Sequence, residues 1–377
     1  HPLIDIRLYN PFMIRGIKLI NFTFDFFRLN RRMHNKALIV DGVAAISGGR
    51  NIGDEYFGTG KNAHFVDLDI LTVGQVVPSM VKNFNIFYNS RVSIPVDLML
   101  KPYFTYESMN SLSGALSLFV DSEQFKTYTQ EIQSSQFLQD IKNGQLIDEW
   151  TEVTMISDDP RKTLGIHYEN ELMVERLNMI LNSPINNIDV VSPYFVPGDA
   201  VDVFTKLQEN RVDVRILTNA FEATDVVPVH SGYAKYRHEL MAAGVQLFEL
   251  KARQFIRDKD MGIMGSSAAS LHAKTFAVDG KLAFIGSFNF DPRSTMLNTE
   301  MGVVIKSKNV ARRIHQYFDD GVTADAYQLK LDADDNLIWF EAIGEKEYRQ
   351  YAQDPHSTWL QRAAIIILGM LPIEWLL

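Results

Sequence analysis

The chain has 377 residues, is 46% hydrophobic and 22% charged, and carries a net charge of -9 at pH 7. This length predicts about two globular domains with sizeable cores. The acidic balance argues against a protein whose main task is to grip nucleic acid. Because the sequence contains no cysteine, disulfides and thiolate metal sites are excluded.

The first part of the chain carries strand patterns on either side of an aromatic segment. Residues 4–9, 34–41, 43–48 and 66–73 have the apolar patterns of short strands. Residues 11–27 are rich in phenylalanine and contain few turn signals. Two interpretations stay open for this segment: a loop that dips into a bilayer, or a helix that packs on its lobe.

The later part of the chain alternates between strand and helix patterns. Residues 93–150 predict a polar connector with a helical segment around 121–142. The alternation that follows predicts an α/β lobe with a mixed, mostly parallel sheet flanked by helices. Strands are predicted at 189–196, 211–218, 245–250, 271–279 and 300–306, and helices at 199–209, 231–243 and 308–319.

The end of the chain is strongly apolar. Residues 363–372 form an apolar run, but it is shorter than the ~20 residues that a spanning helix needs. Packing against the lobe and insertion as a monotopic anchor fit the tail equally well on energy, because burial of aliphatic side chains stabilises both. Trp359 and Trp375, at the ends of the tail, favour the membrane interface modestly.

One set of five residues occurs twice in the chain, and every member is offset by 238 positions. A single His-x-Lys pattern is weak evidence, but five positions repeated at one offset predict two copies of a catalytic half-site. Two lobes that face each other would combine these copies into one site. The copies are His34, Lys36, Asp41, Gly48 and Asn51, and His272, Lys274, Asp279, Gly286 and Asn289.

The residue types in the repeat suit transfer of a phosphodiester. Histidine and lysine two positions apart on a strand point to the same face. One imidazole can attack phosphorus while the other serves as general acid and base. The lysines and the amides of Asn51 and Asn289 can stabilise the charge on phosphate, so we expect no metal and no cofactor. Asp41 and Asp279 lie beyond the lysines, where we expect structural or supporting contacts.

Laying one copy over the other divides the chain into residues 1–145, 146–330 and 331–377. These would be a first lobe with its connector, a second lobe, and an extension with an apolar tail. No residues precede the first copy to match 150–243. We therefore expect a first lobe that is incomplete at its N-terminal side, in a fragment of a longer protein. A naturally short first lobe is the alternative.

The paired motifs resemble the HKD motifs of the phospholipase D superfamily, and the whole chain is similar to bacterial cardiolipin synthases of the C type. The resemblance implies two similar lobes with the active site at their interface. It further implies a phosphatidyl transfer without metal, in which His34 is the nucleophile and His272 the acid and base. Glu300 would orient an active-site histidine, with Asp67 as its counterpart in the first lobe.

The resulting hypothesis is a transferase that makes cardiolipin from phosphatidylglycerol and either phosphatidylethanolamine or a second phosphatidylglycerol. The alternatives are a hydrolytic phospholipase D, a nuclease of the same superfamily, and a membrane scaffold with a vestigial site. His230, in a loop after a strand, is a candidate for substrate binding, although a structural histidine is more common. The expected partners are phospholipids and a membrane surface, without nucleic acid. The expected location is the bacterial cell membrane, peripheral or monotopic, at its cytoplasmic face.

Overall fold

A computed structural model describes residues 3–13, 23–57, 64–100, 106–145, 149–166, 169–252, 269–344 and 347–377. Residues 14–22 of the aromatic segment lie outside the described residues. In the described ranges the strands are β1 Arg7–Tyr9, β2 Ala37–Val40, β3 Ala44–Gly48, β4 His64–Val66, β5 Asp69–Val73, β6 Ser93–Pro95, β7 Val153–Ser157, β8 Asn187–Val191, β9 Asp213–Asn219, β10 Gln246–Leu250, β11 Ala269–Leu271, β12 Thr275–Val278, β13 Leu282–Gly286, β14 Met301–Ile305, β15 Ala326–Leu331, β16 Leu337–Ala342 and β17 Tyr348–Tyr351.

The helices surround these strands, and two of them begin at side-chain caps in the region where the sequence predicts helix. Ser122 and Ser135 accept hydrogen bonds from the backbone N–H groups of Phe125 and Leu138. The α-helices are α1 Phe26–Leu29, α2 Val76–Tyr88, α3 Val96–Met99, α4 Tyr106–Val120, α5 Glu123–Ser134, α6 Gln136–Asn143, α7 Met173–Leu181, α8 Ala200–Glu209, α9 Val227–Ala234, α10 Arg237–Ala242, α11 Lys308–Gln316, α12 Val322–Asp325 and α13 Trp359–Gly369.

The second lobe is built on a ten-stranded sheet in the order β17-β16-β15-β10-β9-β8-β12-β13-β14-β7. Its central strands are buried on both faces, and every residue of β12 and β14 is buried. The sheet is mixed, as predicted, but the expectation that it is mostly parallel is wrong. Only β9 pairs in parallel, with β8 and β10, whereas the other described pairings of this sheet are antiparallel. Short connections make β12 and β13, and β15 and β16, antiparallel, since parallel neighbours need long crossovers.

The first lobe carries a three-stranded antiparallel sheet in the order β2-β3-β5. Its hairpin turns at Asp41 and Gly42, with φ of 52° and 68°, and the equivalent turn at Asp279 and Gly280 has φ of 51° and 60°. Both residues of each turn therefore adopt the left-handed conformation that a two-residue hairpin requires. The motif hairpins of the two lobes thus share their turn as well as their sequence.

The two lobes are joined by a shared core and by exchanged backbone pairings. Val77 and Met80 of α2 belong to one buried cluster with Ile285 and Val303 of the second lobe. In addition, β4 pairs in parallel with β11, and Met33 forms a parallel bridge with Thr299. The residues that precede each motif hairpin are thereby held by the opposite lobe.

The C-terminal residues extend the second lobe. Strands β16 and β17 lengthen its sheet at the edge next to β15. Helix α13 begins at Thr358 with a capping box and packs along α9. None of the helices in the described ranges combines the length and the apolar character that crossing a bilayer requires. The chain then turns back toward the second motif, where the backbone N–H of Arg293 donates to the carbonyl of Leu377 at 2.7 Å.

Candidate active site

His34 is held by the second lobe. Its backbone N–H donates to the carbonyl of Thr299 at 2.9 Å, which continues the bridge between the lobes. Its Nδ1 lies 2.8 Å from Oε2 of Glu300, whose side chain is fully buried. The same carboxylate oxygen accepts a hydrogen bond from the hydroxyl of Ser287 at 2.5 Å. The first histidine is therefore oriented by a carboxylate that the other half of the molecule supplies.

His272 is held in the same way by the first lobe. Its backbone N–H donates to the carbonyl of Val66 at 2.8 Å, and its Nδ1 lies 2.6 Å from Oδ2 of Asp67. The other oxygen of Asp67 accepts the backbone N–H of Leu68 at 2.9 Å. The two halves thus exchange carboxylates, so that neither histidine is oriented without the opposite lobe.

These contacts determine which nitrogen of each ring is available. A carboxylate can only accept, so Nδ1 of each ring carries the proton and Nε2 keeps its lone pair. Burial lowers the pKa of both histidines, and for His272 the neighbouring Lys274 lowers it further. Burial opposes ionisation of Glu300, but His34 and Lys36 outweigh it and lower the pKa of this carboxyl. The lowered pKa of His34 favours its neutral imidazole, and the lowered pKa of Glu300 favours the carboxylate beside it.

The two lysines follow their histidines at the start of the hairpins. Sequence reasoning placed His and Lys on the strand, but β2 begins at Ala37 and β12 at Thr275, so both pairs precede it. In each half the ammonium group donates to the carbonyl of its own histidine, for Lys36 at 2.9 Å. Burial lowers the pKa of Lys36 to about 7 and that of Lys274 to about 8. An anionic phosphate between them would restore their charge.

The two histidines differ in what covers them. The side chain of His34 is 25% exposed and that of His272 only 7%. Nε2 of His272 lies 3.2 Å from the hydroxyl of Tyr56, and the rings of Tyr56 and Phe65 pack against the imidazole at 5.0 and 5.2 Å. Within the described ranges, no hydrogen bond occupies Nε2 of His34. The open histidine is therefore the one in the first motif.

The two asparagines also differ. The amide of Asn51 donates to the hydroxyl of Tyr56 at 2.8 Å, so it supports the group that covers His272. Asn289 is 4% exposed, and its Oδ1 is buried without a hydrogen-bond partner in the described structure. Both asparagines lie on loops that flank the histidines, and their contact with phosphate stays a prediction.

The motif aspartates lie at the hairpin turns, away from the imidazoles. Asp279 accepts backbone N–H groups of Ile185, Asn186 and Asn187 ahead of β8. Burial opposes its ionisation, but these hydrogen bonds outweigh it and lower the pKa of Asp279. Asp41 has the same backbone conformation and is exposed. Asp279 therefore ties the motif hairpin to the neighbouring strand.

His230 is 3% exposed and lies within a separate buried network. Its Nε2 is 2.9 Å from Nη2 of Arg237 and 3.5 Å from Oδ1 of Asp354. Arg237 in turn donates to Glu249 at 2.8 Å. None of its described contacts is with either motif histidine. The position favours a structural role for His230, and its part in substrate binding stays a prediction.

Two sets of supporting residues were not found by sequence reasoning. Tyr56, in a short turn, and Phe65, on β4, have no counterpart in the repeat, and only the structure shows that they cover His272. Asp158 forms a buried ion pair with Lys162 at 2.8 Å and accepts the backbone N–H of Glu300 at 2.9 Å. The neighbouring Asp159 caps the turn Pro160–Leu164 by accepting the backbone N–H of Arg161.

Together the residues form a cluster that contains equal numbers of basic and acidic side chains. Two lysines and two carboxylates surround the pair of imidazoles. A bound phosphodiester would therefore bring one negative charge beyond those of the two carboxylates. In the ranges that the structure describes, no group of three or more histidine or acidic side chains has the arrangement of a metal site. Such a set of residues can provide a nucleophile, an acid and base, and fixed positive charge.

Comparison with known proteins agrees with this geometry. Residues 177–321 match the family described as cardiolipin synthase, PLD-like domain. The chain is 40% identical to cardiolipin synthase C of Escherichia coli over 380 residues, which cover 100% of this chain and 80% of that protein. It is 28% identical to a cardiolipin synthase of Listeria monocytogenes, over 85% of this chain and 53% of the relative.

Among solved structures, phosphatidylserine synthase of Haemophilus influenzae has a similar fold. The TM-score is 0.54 at 12% identity, and the match covers 92% of this chain and 71% of that one. At this identity the likeness shows the fold alone. The similarity to the Escherichia coli enzyme extends over the whole of this chain and confirms the resemblance that the paired motifs indicate. The chain belongs to the cardiolipin synthases of the phospholipase D superfamily.

Proposed function

We propose that this protein makes cardiolipin by transferring a phosphatidyl group through a covalent phosphohistidine on His34. The observation that carries the proposal is the unequal pair of imidazoles. Both are oriented by a carboxylate from the opposite lobe, but only His34 presents an open Nε2. A nucleophile must reach phosphorus directly, whereas an acid and base needs only a proton path to the oxygen.

In the first half-reaction, Nε2 of His34 attacks the phosphorus of a phosphatidyl donor. The bond between phosphorus and the headgroup oxygen breaks, and that oxygen takes a proton from Nε2 of His272. The negative charge of the bound phosphodiester raises the pKa of His272, which favours the protonated ring that this step needs. The products are a phosphohistidine and the free headgroup alcohol.

In the second half-reaction, a lipid alcohol enters where the headgroup left. Neutral His272 removes the proton of its hydroxyl, the oxygen attacks phosphorus, and the bond between phosphorus and His34 breaks. With phosphatidylglycerol as acceptor the product is cardiolipin. Lys36 and Lys274 stabilise the pentacoordinate transition state of both steps by holding positive charge beside the equatorial oxygens.

We further propose phosphatidylglycerol, with phosphatidylethanolamine or a second phosphatidylglycerol, as the substrate pair. The protein would work at the bacterial cell membrane, peripheral or monotopic, on its cytoplasmic face. Similarity to cardiolipin synthases supports the lipid substrates. Water that reached the same phosphohistidine would instead release phosphatidic acid, so the acceptor separates the transferase from a hydrolase.

The test is analysis of lipid products by full-length protein incubated with phosphatidylglycerol, with and without phosphatidylethanolamine. We expect cardiolipin as the main product and none from His34→Ala. The matched control is His238→Ala, because His238 is half-exposed and pairs with exposed Asp335 at the surface. Phosphatidic acid without cardiolipin would contradict the transferase, and undiminished turnover by His34→Ala would contradict the mechanism.

A further inference from the structure

Several exposed apolar side chains flank the open histidine, and they come from three separate parts of the chain. Met33 directly precedes His34, and Met296 follows the loop that carries Asn289. The other members lie beside α1 and at the end of the chain. We call this set the apolar rim; its members and exposed fractions are Phe24 85%, Phe27 68%, Met33 41%, Met296 46% and Trp375 45%.

Ring contacts and hydrogen bonds hold the rim together. The ring of Phe27 stacks on Trp375 with centroids 6.2 Å apart, and Phe26 meets the same indole at 6.4 Å. Arg293 donates to the carbonyl of Leu376 at 3.0 Å and to that of Asn30 at 3.0 Å. The aromatic segment and the C-terminal tail, which sequence reasoning treated separately, therefore meet at the loops that build the site.

The charges beside the rim are unequal. Asp25 is paired with Arg28 and Glu374 with Lys235. Burial lowers the pKa of Arg293, and buried Asp291 lies close enough to this guanidinium to raise its pKa against that effect. Arg32 and Arg293, in contrast, donate to backbone carbonyls, Arg32 to that of Asn10 at 2.8 Å. A carbonyl does not neutralise a guanidinium, so the surface next to the rim keeps positive charge.

We propose that the apolar rim is the face on which the protein rests on an anionic lipid bilayer. This inference rests on the proposed function, because a phospholipid whose phosphate lies between His34 and His272 must extend its acyl chains beyond the pocket. Exposed apolar patches of this kind mark interaction surfaces. Aromatic rings with adjacent basic groups suit the headgroup region of a bilayer, where tryptophan is enriched and cations are attracted.

The rim would also explain how the phosphate of a membrane lipid reaches the two imidazoles. A lipid that leaves the bilayer for a watery site exposes both acyl chains to water. If the rim enters the interface beside His34, the phosphate reaches the imidazoles while the chains stay among other lipids. Binding strength then depends on the apolar area that the rim buries and on the charge of the surface.

The experiment compares two double variants of the full-length protein. Phe24→Ser with Phe27→Ser removes two rim side chains that, in the ranges the structure describes, have no hydrogen bond or ring contact with a motif residue. Leu98→Ser with Met179→Ser is the matched control, because these side chains are 75% and 71% exposed and lie on α3 and α7, outside the rim. Each protein is floated with vesicles of phosphatidylglycerol and phosphatidylcholine. Turnover is then measured with short-chain phosphatidylglycerol dissolved as monomers.

We expect the rim variant to bind vesicles at least about tenfold more weakly. A tenfold change in affinity corresponds to about 1.4 kcal/mol of binding free energy, which here comes from the lost burial of the two rings. The control should bind like wild type, and both should turn over the dissolved substrate at the wild-type rate. Unchanged vesicle binding by the rim variant would overturn the proposal. An equal loss of vesicle binding in the control would also overturn it. If the rim variant changed only the self-association of the protein, the rim would instead be an interface with a second copy of the chain.

The two proposals fail separately. If wild type binds vesicles through the rim but makes no cardiolipin from either form of substrate, the proposed function is contradicted and the proposed membrane-binding surface is supported. If dissolved and vesicular lipid both yield cardiolipin but the rim variant binds and reacts like wild type, the proposed membrane-binding surface is contradicted and the proposed function is supported.

Discussion

The two half-sites share a motif, a turn and a carboxylate from the opposite lobe, yet they differ in access. His34 has an open Nε2, whereas His272 is covered by Tyr56 and Phe65. A duplicated sequence therefore does not imply two equivalent groups. The motif places the same residue types in both halves, and Tyr56, in the segment 51–57, makes the access to the two imidazoles unequal.

The largest effect should come from removing either imidazole. With natural phospholipid, we expect both His34→Ala and His272→Ala to lower the rate of cardiolipin formation by about 10⁴-fold or more, since the two act as a unit. A donor with a p-nitrophenol leaving group separates them, because nitrophenolate leaves without a proton. With this donor His272→Ala should release a burst of nitrophenol and His34→Ala none. A burst from His34→Ala alone would reverse the assignment.

The exchanged carboxylates should have the next largest effect. Glu300→Gln leaves His34 without the acceptor that fixes its tautomer, and we expect a loss of about 10²- to 10⁴-fold in kcat. Asp67→Asn should slow the protonation of the leaving group instead, so its defect should shrink with the nitrophenol donor. Initial rates with both donors test this difference. Equal behaviour of the two variants on both donors would contradict the division of roles.

The pH dependence should report the buried lysines and Asp67. Burial lowers the pKa of Lys36 to about 7 and of Lys274 to about 8, so kcat/KM should fall as pH rises through this range and the ammonium charges are lost. Burial raises the pKa of Asp67 to about 6, so activity should also fall below that pH as the carboxylate is protonated. Lys36→Arg, which keeps its charge, should move the alkaline limb to higher pH. An unchanged alkaline limb would show that Lys36 does not set it.

The smallest effect should come from the group that covers His272. Tyr56→Phe removes the hydroxyl 3.2 Å from Nε2 and leaves the ring in place. We expect less than about a tenfold change in total turnover and a larger share of phosphatidic acid, because water can occupy the vacated position. Tyr348→Phe is the control, since Tyr348 is 60% exposed and distant in the fold at the edge strand β17. An unchanged product ratio would mean that Tyr56 does not influence the choice of acceptor.

Much of this site follows from local patterns in the sequence. The repeat predicts both histidines and lysines, and the Asp-Gly pairs predict the turns because few residues adopt positive φ. Contacts that depend on how the lobes meet do not follow. The positions of Asp67 and Glu300 differ by 233, not 238, so the repeat misses them and only the family resemblance pointed to them.

The remaining differences have similar causes. The alternation of strands and helices predicts a mostly parallel sheet, but alternation alone does not determine which strands become neighbours. The sequence predicts a loop at His230, but this prediction is wrong, because His230 lies within α9, where Arg237 and Asp354 from other segments hold its ring. Tyr56 has no pattern at all, and its role depends on a ring contact between the lobes.

The central claim is that His34 forms the covalent intermediate. Rapid acid-free denaturation of the enzyme during turnover, followed by proteolysis and mass spectrometry under alkaline conditions, preserves a phosphohistidine and locates it. The account predicts a phosphatidyl group on the peptide that contains His34, and its absence from the peptide that contains His272. A phosphatidyl group on His272, or turnover without any modified histidine, would contradict it.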